Sequence, residues 1–215
     1  MRKKHFVFLV ALIISASAFS QRNVALYGGI NASWLNYGKN EYATNIPGLV
    51  IVEDDNSLWK IGGDIGAIGQ FILSERTLLS TGIGFSSRGF EDFFVQGNNE
   101  TDSRVSLRYV DIPLMLHGYV LSDDNSSMVS LGGGLQFSYL VGSDVKTRPS
   151  GGSWTSIKHN EDFRKTEASL VGSITIQPKS FYLELKGGLG LTSPMEELSG
   201  AIPIFVQLRT GVIIF

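Results

Sequence analysis

The sequence predicts an all-β fold: a closed, antiparallel, eight-stranded transmembrane β-barrel, preceded by a cleavable signal peptide. Three observations lead there. Eight segments alternate, residue by residue, between an aliphatic face and a mixed, partly charged face, the period of two expected of a strand with one side in oil. Their connections run long, short, long, short, long, short, long, the loop rule of outer-membrane barrels. The 215-residue chain contains no cysteine, so an exported fold has no disulfide to hold it and closure of a sheet must serve instead.

The first twenty residues read as a secretory leader. Arg2, Lys3 and Lys4 precede an apolar run over 6–18, and Ala18 and Ser20 place small residues where a signal peptidase cuts, before Gln21. The run is shorter than the roughly 20 residues of a spanning helix. The expected domains are therefore a signal peptide over 1–20 and a barrel over 21–215. Without the leader, 15 Lys and Arg face 20 Asp and Glu, a net charge of −5. Such a balance offers no basic footprint for nucleic acid. No later stretch is apolar enough for a helix to span a membrane, so insertion has to be by strands.

The eight expected strands cover 24–35, 58–73, 77–88, 105–121, 128–141, 163–176, 181–191 and 204–215. Most match or exceed the roughly 9–11 residues that a tilted transmembrane strand needs. Long connections over 36–57, 89–104 and 142–162 and an intermediate one over 192–203 fall at one end. Tight ones at 74–76, 122–127 and 177–180 fall at the other. An even strand number puts both termini on the periplasmic side.

The faces follow from charge. In the second strand Trp59, Ile61, Ile65, Ala67, Phe71 and Leu73 oppose Lys60, Asp64 and Gln70. In the last, Ile204, Val206, Leu208, Val212 and Ile214 oppose Gln207 and Arg209. An Arg or Lys facing lipid at mid-membrane costs about 2–4 kcal/mol, so the aliphatic parity faces out. The inward charges are then Lys60, Asp64, Asp111, Lys165, Glu167, Glu184, Lys186 and Arg209, four of each sign. They are expected to zip the lumen, with Glu184 bridging Lys186 and Arg209. Outward aromatics form two girdles: Trp34, Trp59, Phe85, Phe137 and Tyr139 towards the long loops, Phe71 and Phe181 by the tight turns. Gly62, Gly66, Gly82, Gly84, Gly132, Gly134, Gly188 and Gly190 take the inward parity, where a narrow barrel has little room. Gly132–Gly134 is not a phosphate loop, having neither the Lys-Ser/Thr pair nor a following helix. Pro113 predicts a bulge or a missing ladder bond.

Together these residues resemble the PorT-like outer-membrane β-barrel family. The likeness lies in a first strand Tyr27-Gly28-Gly29-Ile30-Asn31-Ala32-Ser33, the run Tyr109-Val110-Asp111-Ile112-Pro113-Leu114, a Gly-rich strand over 131–140, and a last motif Lys186-Gly187-Gly188-Leu189-Gly190-Leu191. The resemblance implies a small integral barrel of a Gram-negative outer membrane, some of whose relatives serve type IX secretion, and carries over no catalytic residue. Barrels of this kind end on an aromatic read by the barrel-assembly machinery. Phe215 is the last residue, yet it has the inward parity of Arg209, placing it after a bulge or beyond the membrane edge.

The leading function is a non-enzymatic structural or interaction scaffold, with no cofactor and no metal. Its expected partners are outer-membrane lipid, the assembly machinery, and a surface or secretion-system protein met through the long loops. Those loops hold Tyr37, Tyr42, Ile46, Leu49, Ile51, Phe90, Phe93, Phe94 and Trp154. Three alternatives stand beside it: a lipid-modifying barrel enzyme using His159 and Ser156 near Glu161 and Asp162, a small porin, and a soluble lipocalin-like binder. His117 is placed at the periplasmic end of its strand. Glu53-Asp54-Asp55 lacks the spaced ligands and glycine of a calcium loop.

Overall fold

A computed structural model describes residues 21–37, 57–96, 99–122, 127–149, 152–157, 163–195 and 200–214. Nine strands follow one another: β1 (Gln21–Asn36), β2 (Leu58–Ser74), β3 (Thr77–Gln96), β4 (Asn99–Ser122), β5 (Ser127–Pro149), β6 (Thr155–Ile157), β7 (Thr166–Pro178), β8 (Phe181–Gly190) and β9 (Ile202–Ile213). Eight of them close a ring of antiparallel neighbours. β1 pairs with β2 and with β9, and the circuit runs on through β3, β4, β5, β7 and β8. β6 is an addition, three residues that fold back onto the outer end of β5. The expected closed eight-stranded barrel is the fold.

The parity reading sets which residues meet the lumen. Leu114, Leu116, Leu185, Leu189, Val206 and Leu208 are exposed on the outside, while Asp111, Met115, Glu184, Lys186, Gln207 and Arg209 are buried inside. Inward glycines make closure of so narrow a ring possible. A Cβ on Gly66 would stand 2.5 Å from the Tyr27 hydroxyl and 2.7 Å from the Gly84 Cα, whereas outward Gly63 and Gly118 have nothing within 4 Å of theirs.

Three expected boundaries are corrected. The segment 89–104 is not a loop: β3 continues to Gln96 and β4 starts at Asn99, paired through Gln96↔Asn99. β5 likewise reaches Pro149 instead of ending at 141, and β6 occupies part of the expected loop 142–162. The reason is physical. The outward face stops being aliphatic where lipid stops, and the strands do not. β3, β4 and β5 are 20, 24 and 23 residues long against 13, 10 and 12 for β7, β8 and β9. One wall of the barrel therefore rises well above the bilayer.

Along β4 the outward residues from Val110 to Val120 are aliphatic or glycine. They span about 33 Å of strand, or about 25 Å across the bilayer at a tilt of about 40°. Pro113 leaves a gap in the ladder without a bulge: pairing with β3 lapses between Thr81↔Leu114 and Gly84↔Asp111 with no shift of register. The Thr81 hydroxyl donates to the Pro113 carbonyl at 2.9 Å. At the tight β7–β8 turn Lys179 takes φ 54°, the left-handed conformation that short hairpins require. Phe215 and the leader residues 1–20 lie outside the described residues.

Candidate functional site

Two regions gather chemistry, the lumen and the raised outer rim. In the lumen two arginines each hold two carboxylates. Arg209 on β9 donates from Nε to Asp64 Oδ2 of β2 and from Nη1 to Glu184 Oε2 of β8 at 3.0 Å, with its guanidinium 4.4 Å from the Tyr27 ring centre. Arg88 on β3 reaches Asp111 Oδ1 at 2.9 Å and Glu167 Oε1 at 2.8 Å, and lies 4.2 Å over the Tyr109 ring. The Ser86 and Ser138 hydroxyls donate to the two Asp111 oxygens, each at 2.6 Å. Lys186 Nζ on β8 donates to Gln136 Oε1 on β5 at 2.6 Å, past the intervening β7. Further down, Ser80 Oγ and His117 Nε2 share a hydrogen bond of 2.7 Å.

This arrangement accounts for most of the expected lumen charges and redraws their pairing. Lys60, Asp64, Asp111, Glu167, Glu184, Lys186 and Arg209 are all at most 7% exposed. Lys165 is exposed, because it precedes β7 at the outer rim, where an inward parity no longer leads into the barrel. Glu184 pairs with Arg209 directly across the β8–β9 ladder, while Lys186 turns to Gln136 instead of Glu184. Arg88, the hub of the second cluster, was missed, although it shares parity with inward Gly82 and Gly84 and could have been found by extending that face. Where Arg88, Glu167 and Phe205 meet, a cavity of about 20 Å³ remains, room for about one water. Among the described residues no three His, Asp or Glu side chains gather as metal ligands.

The outer rim has an apolar core of its own. Leu35, Tyr37, Phe90, Val105, Leu107, Tyr109, Leu140, Val145, Phe163, Met195 and Ala201 pack together at the top of the barrel. The Tyr37 hydroxyl donates to Asp92 Oδ2 at 2.6 Å. Burial pushes the Asp92 carboxyl up to about 6, against the pull of that hydrogen bond. Burial and the Asp92 charge push the Tyr37 phenol well up. The rim surface is charged: Arg104 pairs with Glu91 at 2.7 Å and Arg148 donates from Nε to Asp102 at 2.9 Å. Both guanidiniums flank Trp154, at 5.0 and 4.8 Å from its ring centre. Ser156 Oγ donates to Asp144 Oδ1 at 2.5 Å. His159, Glu161, Asp162, residues 53–55, and Tyr42, Ile46, Leu49 and Ile51 lie outside the described residues. Phe93 and Phe94 lie within β3.

The expected girdle residues all face outward by parity. Trp59, Phe85, Phe137, Tyr139 and Phe181 are more than half exposed; Trp34 and Phe71 are half-buried. The Trp34 and Trp59 rings stack with centres 5.1 Å apart.

An aliphatic outer belt, aromatic rims and a lumen packed with ion pairs define an integral membrane β-barrel of the outer-membrane kind. The chain belongs to the family described as outer membrane protein beta-barrel domain, whose model matches residues 15–195, and its location is the cell outer membrane. No curated protein matches it. Among solved structures it is similar to Ail, the attachment invasion locus protein of Yersinia pestis, at 10% identity and TM-score 0.42, with 90% of this chain and 99% of that one covered. The same protein in complex with the heparin analogue sucrose octasulfate gives 11% and 0.41, covering 89% and 98%. The translocator domain of the autotransporter NalP from Neisseria meningitidis gives 9% and 0.36, covering 97% and 95%.

Proposed function

We infer that this barrel is a non-enzymatic scaffold whose raised outer rim is its working surface, an interaction platform for a surface or secretion-system protein. One observation carries the reading: β3, β4 and β5 continue beyond the bilayer as a paired sheet over a private apolar core. Membrane anchoring needs only about 9–11 residues per strand, so the extra length serves something outside. The PorT-like resemblance agrees with an accessory role in secretion or surface assembly. Outer-membrane lipid surrounds the belt, and the assembly machinery would insert the barrel after export and removal of the leader.

The rival readings have less support. Arg88 and Arg209 with their carboxylates fill the lumen, which disfavours a porin. Ser156 is committed to Asp144, and the Ser80–His117 pair is buried inside the wall, so neither of these, among the described residues, offers an acyl-transfer enzyme an accessible nucleophile–base pair. A soluble binder would not carry an aliphatic outer belt.

The test is affinity purification of the tagged barrel from membranes in mild detergent. A partner should co-purify in fixed ratio and be lost from Arg104→Glu/Arg148→Glu, while the folded barrel keeps its heat-modifiable gel mobility. No partner in fixed ratio, or one held equally by the charge-reversed rim, contradicts the scaffold reading.

A further inference from the structure

The barrel wall has an irregular seam between β2 and β3. Pairing of β2 with β3 stops at Trp59↔Phe90 and resumes at Asp64↔Ser86, so four residues of β2 face three of β3. Gly89 bends the strand there with φ 152°, a conformation that side chains rarely tolerate. The Ser33 hydroxyl of β1 compensates from inside, accepting from the Gly89 N–H and donating to its carbonyl, each at 2.8 Å. Outside, the seam leaves a groove of about 460 Å³ whose lining includes Gly63, Ile65, Phe85, Ser87, Arg108 and Val141. That volume is ligand-sized, within the usual range of about 300–1,000 Å³.

The groove has an apolar body and a cationic head. Ile65, Phe85 and Val141 are exposed to the membrane, and Gly63 leaves open space between them. Arg108 is the first outward residue of β4 above the aliphatic series that begins at Val110, which sets it at the headgroup level of the outer leaflet. It is exposed, and among the described residues it makes no ion pair. Its guanidinium lies across Gly142 of β5, where a Cβ would stand 2.9 Å from Nη2. Ser87 is its cross-strand partner on β3, so a hydroxyl and a guanidinium share one edge of the groove.

We propose that this seam is a binding site for a phosphorylated lipid of the outer leaflet. The phosphate sits on Arg108 and the Ser87 hydroxyl, and one acyl chain lies in the groove over Gly63. Charge complementarity selects the occupant. An uncompensated guanidinium at the edge of hydrocarbon takes a phosphate in bidentate fashion, and apolar walls directly beneath it suit the chain attached to that phosphate. A neutral lipid would leave the cation without a partner, and a free phosphate would leave the apolar groove unused.

Native mass spectrometry of the full barrel, released from detergent with dimyristoyl phosphatidic acid added, tests the site. The wild type should retain one lipid. Arg108→Gln and, independently, Gly63→Leu should each retain about tenfold less, with heat-modifiable mobility confirming that both variants fold. Dimyristoylglycerol should not be retained, and millimolar inorganic phosphate should not displace the bound lipid. Equal retention by Arg108→Gln overturns the proposal. So does full displacement by inorganic phosphate, which would make Arg108 a free-anion site.

Discussion

Arg209 concentrates the logic of the lumen in one side chain. It is 1% exposed, holds Asp64 and Glu184, and stacks on Tyr27. Removing the cation leaves two buried carboxylates without the partner they share. Breaking a buried pair in this way costs about 3–5 kcal/mol. Arg209→Met should therefore lower the stability of the barrel by about that amount in urea titrations in lipid vesicles, and adding Asp64→Asn with Glu184→Gln should recover most of it. A loss under about 1 kcal/mol would mean that the cluster is better hydrated than its burial indicates. That Arg209 points inward was legible, because lipid forbids the other choice. Its partners were legible only in part. Glu184 lies two residues from Lys186 and invited that pairing, but ladder register sets it opposite Arg209. Asp64 comes from the far side of β1, a neighbour created by ring closure and invisible in local sequence.

At the level of strands, the sequence pattern located every spanning segment and misjudged where three of them stop. Alternation of aliphatic with polar residues reports contact with lipid. When β3 leaves the bilayer at Ser87, β4 at Arg108 and β5 at Gly142, the outward residues turn polar while the ladder continues. Phe90 and Val105 keep the inner parity above the membrane and were the available clue. Lys165 failed for the converse reason, carrying the right parity one residue before its strand begins. The inward glycines are a firmer signal, since their spacing states how near the facing strands approach. Gly66→Ala should destabilise the barrel by about 1–3 kcal/mol through overpacking against Tyr27 and the β3 backbone. Gly118→Ala, on the lipid side of β4, should be neutral within about 0.5 kcal/mol. Equal effects in the two variants, read from the same urea titration, would remove the distinction between the faces.

The complete barrel follows from one constraint applied eight times: every strand must satisfy its backbone through neighbours while presenting oil outward and polar groups inward. Closure removes the open edges. The paired arginines then pack the narrow lumen, and the surplus length of β3, β4 and β5 becomes a structured rim. Fold and membrane location could both be read from alternation, because lipid imposes it residue by residue. The groove at the β2–β3 seam could not, since it depends on a register shift between strands.

Spin labels attached singly at Leu114, Leu185 and Val206, in protein reconstituted into vesicles, test that constraint most directly when compared with a label at Trp154. The three belt labels should be relaxed by oxygen dissolved in the acyl chains and shielded from a water-soluble nickel chelate, with the reverse at Trp154. Strong relaxation of the belt labels by the chelate would place those leucines and that valine in water and contradict the membrane barrel outright.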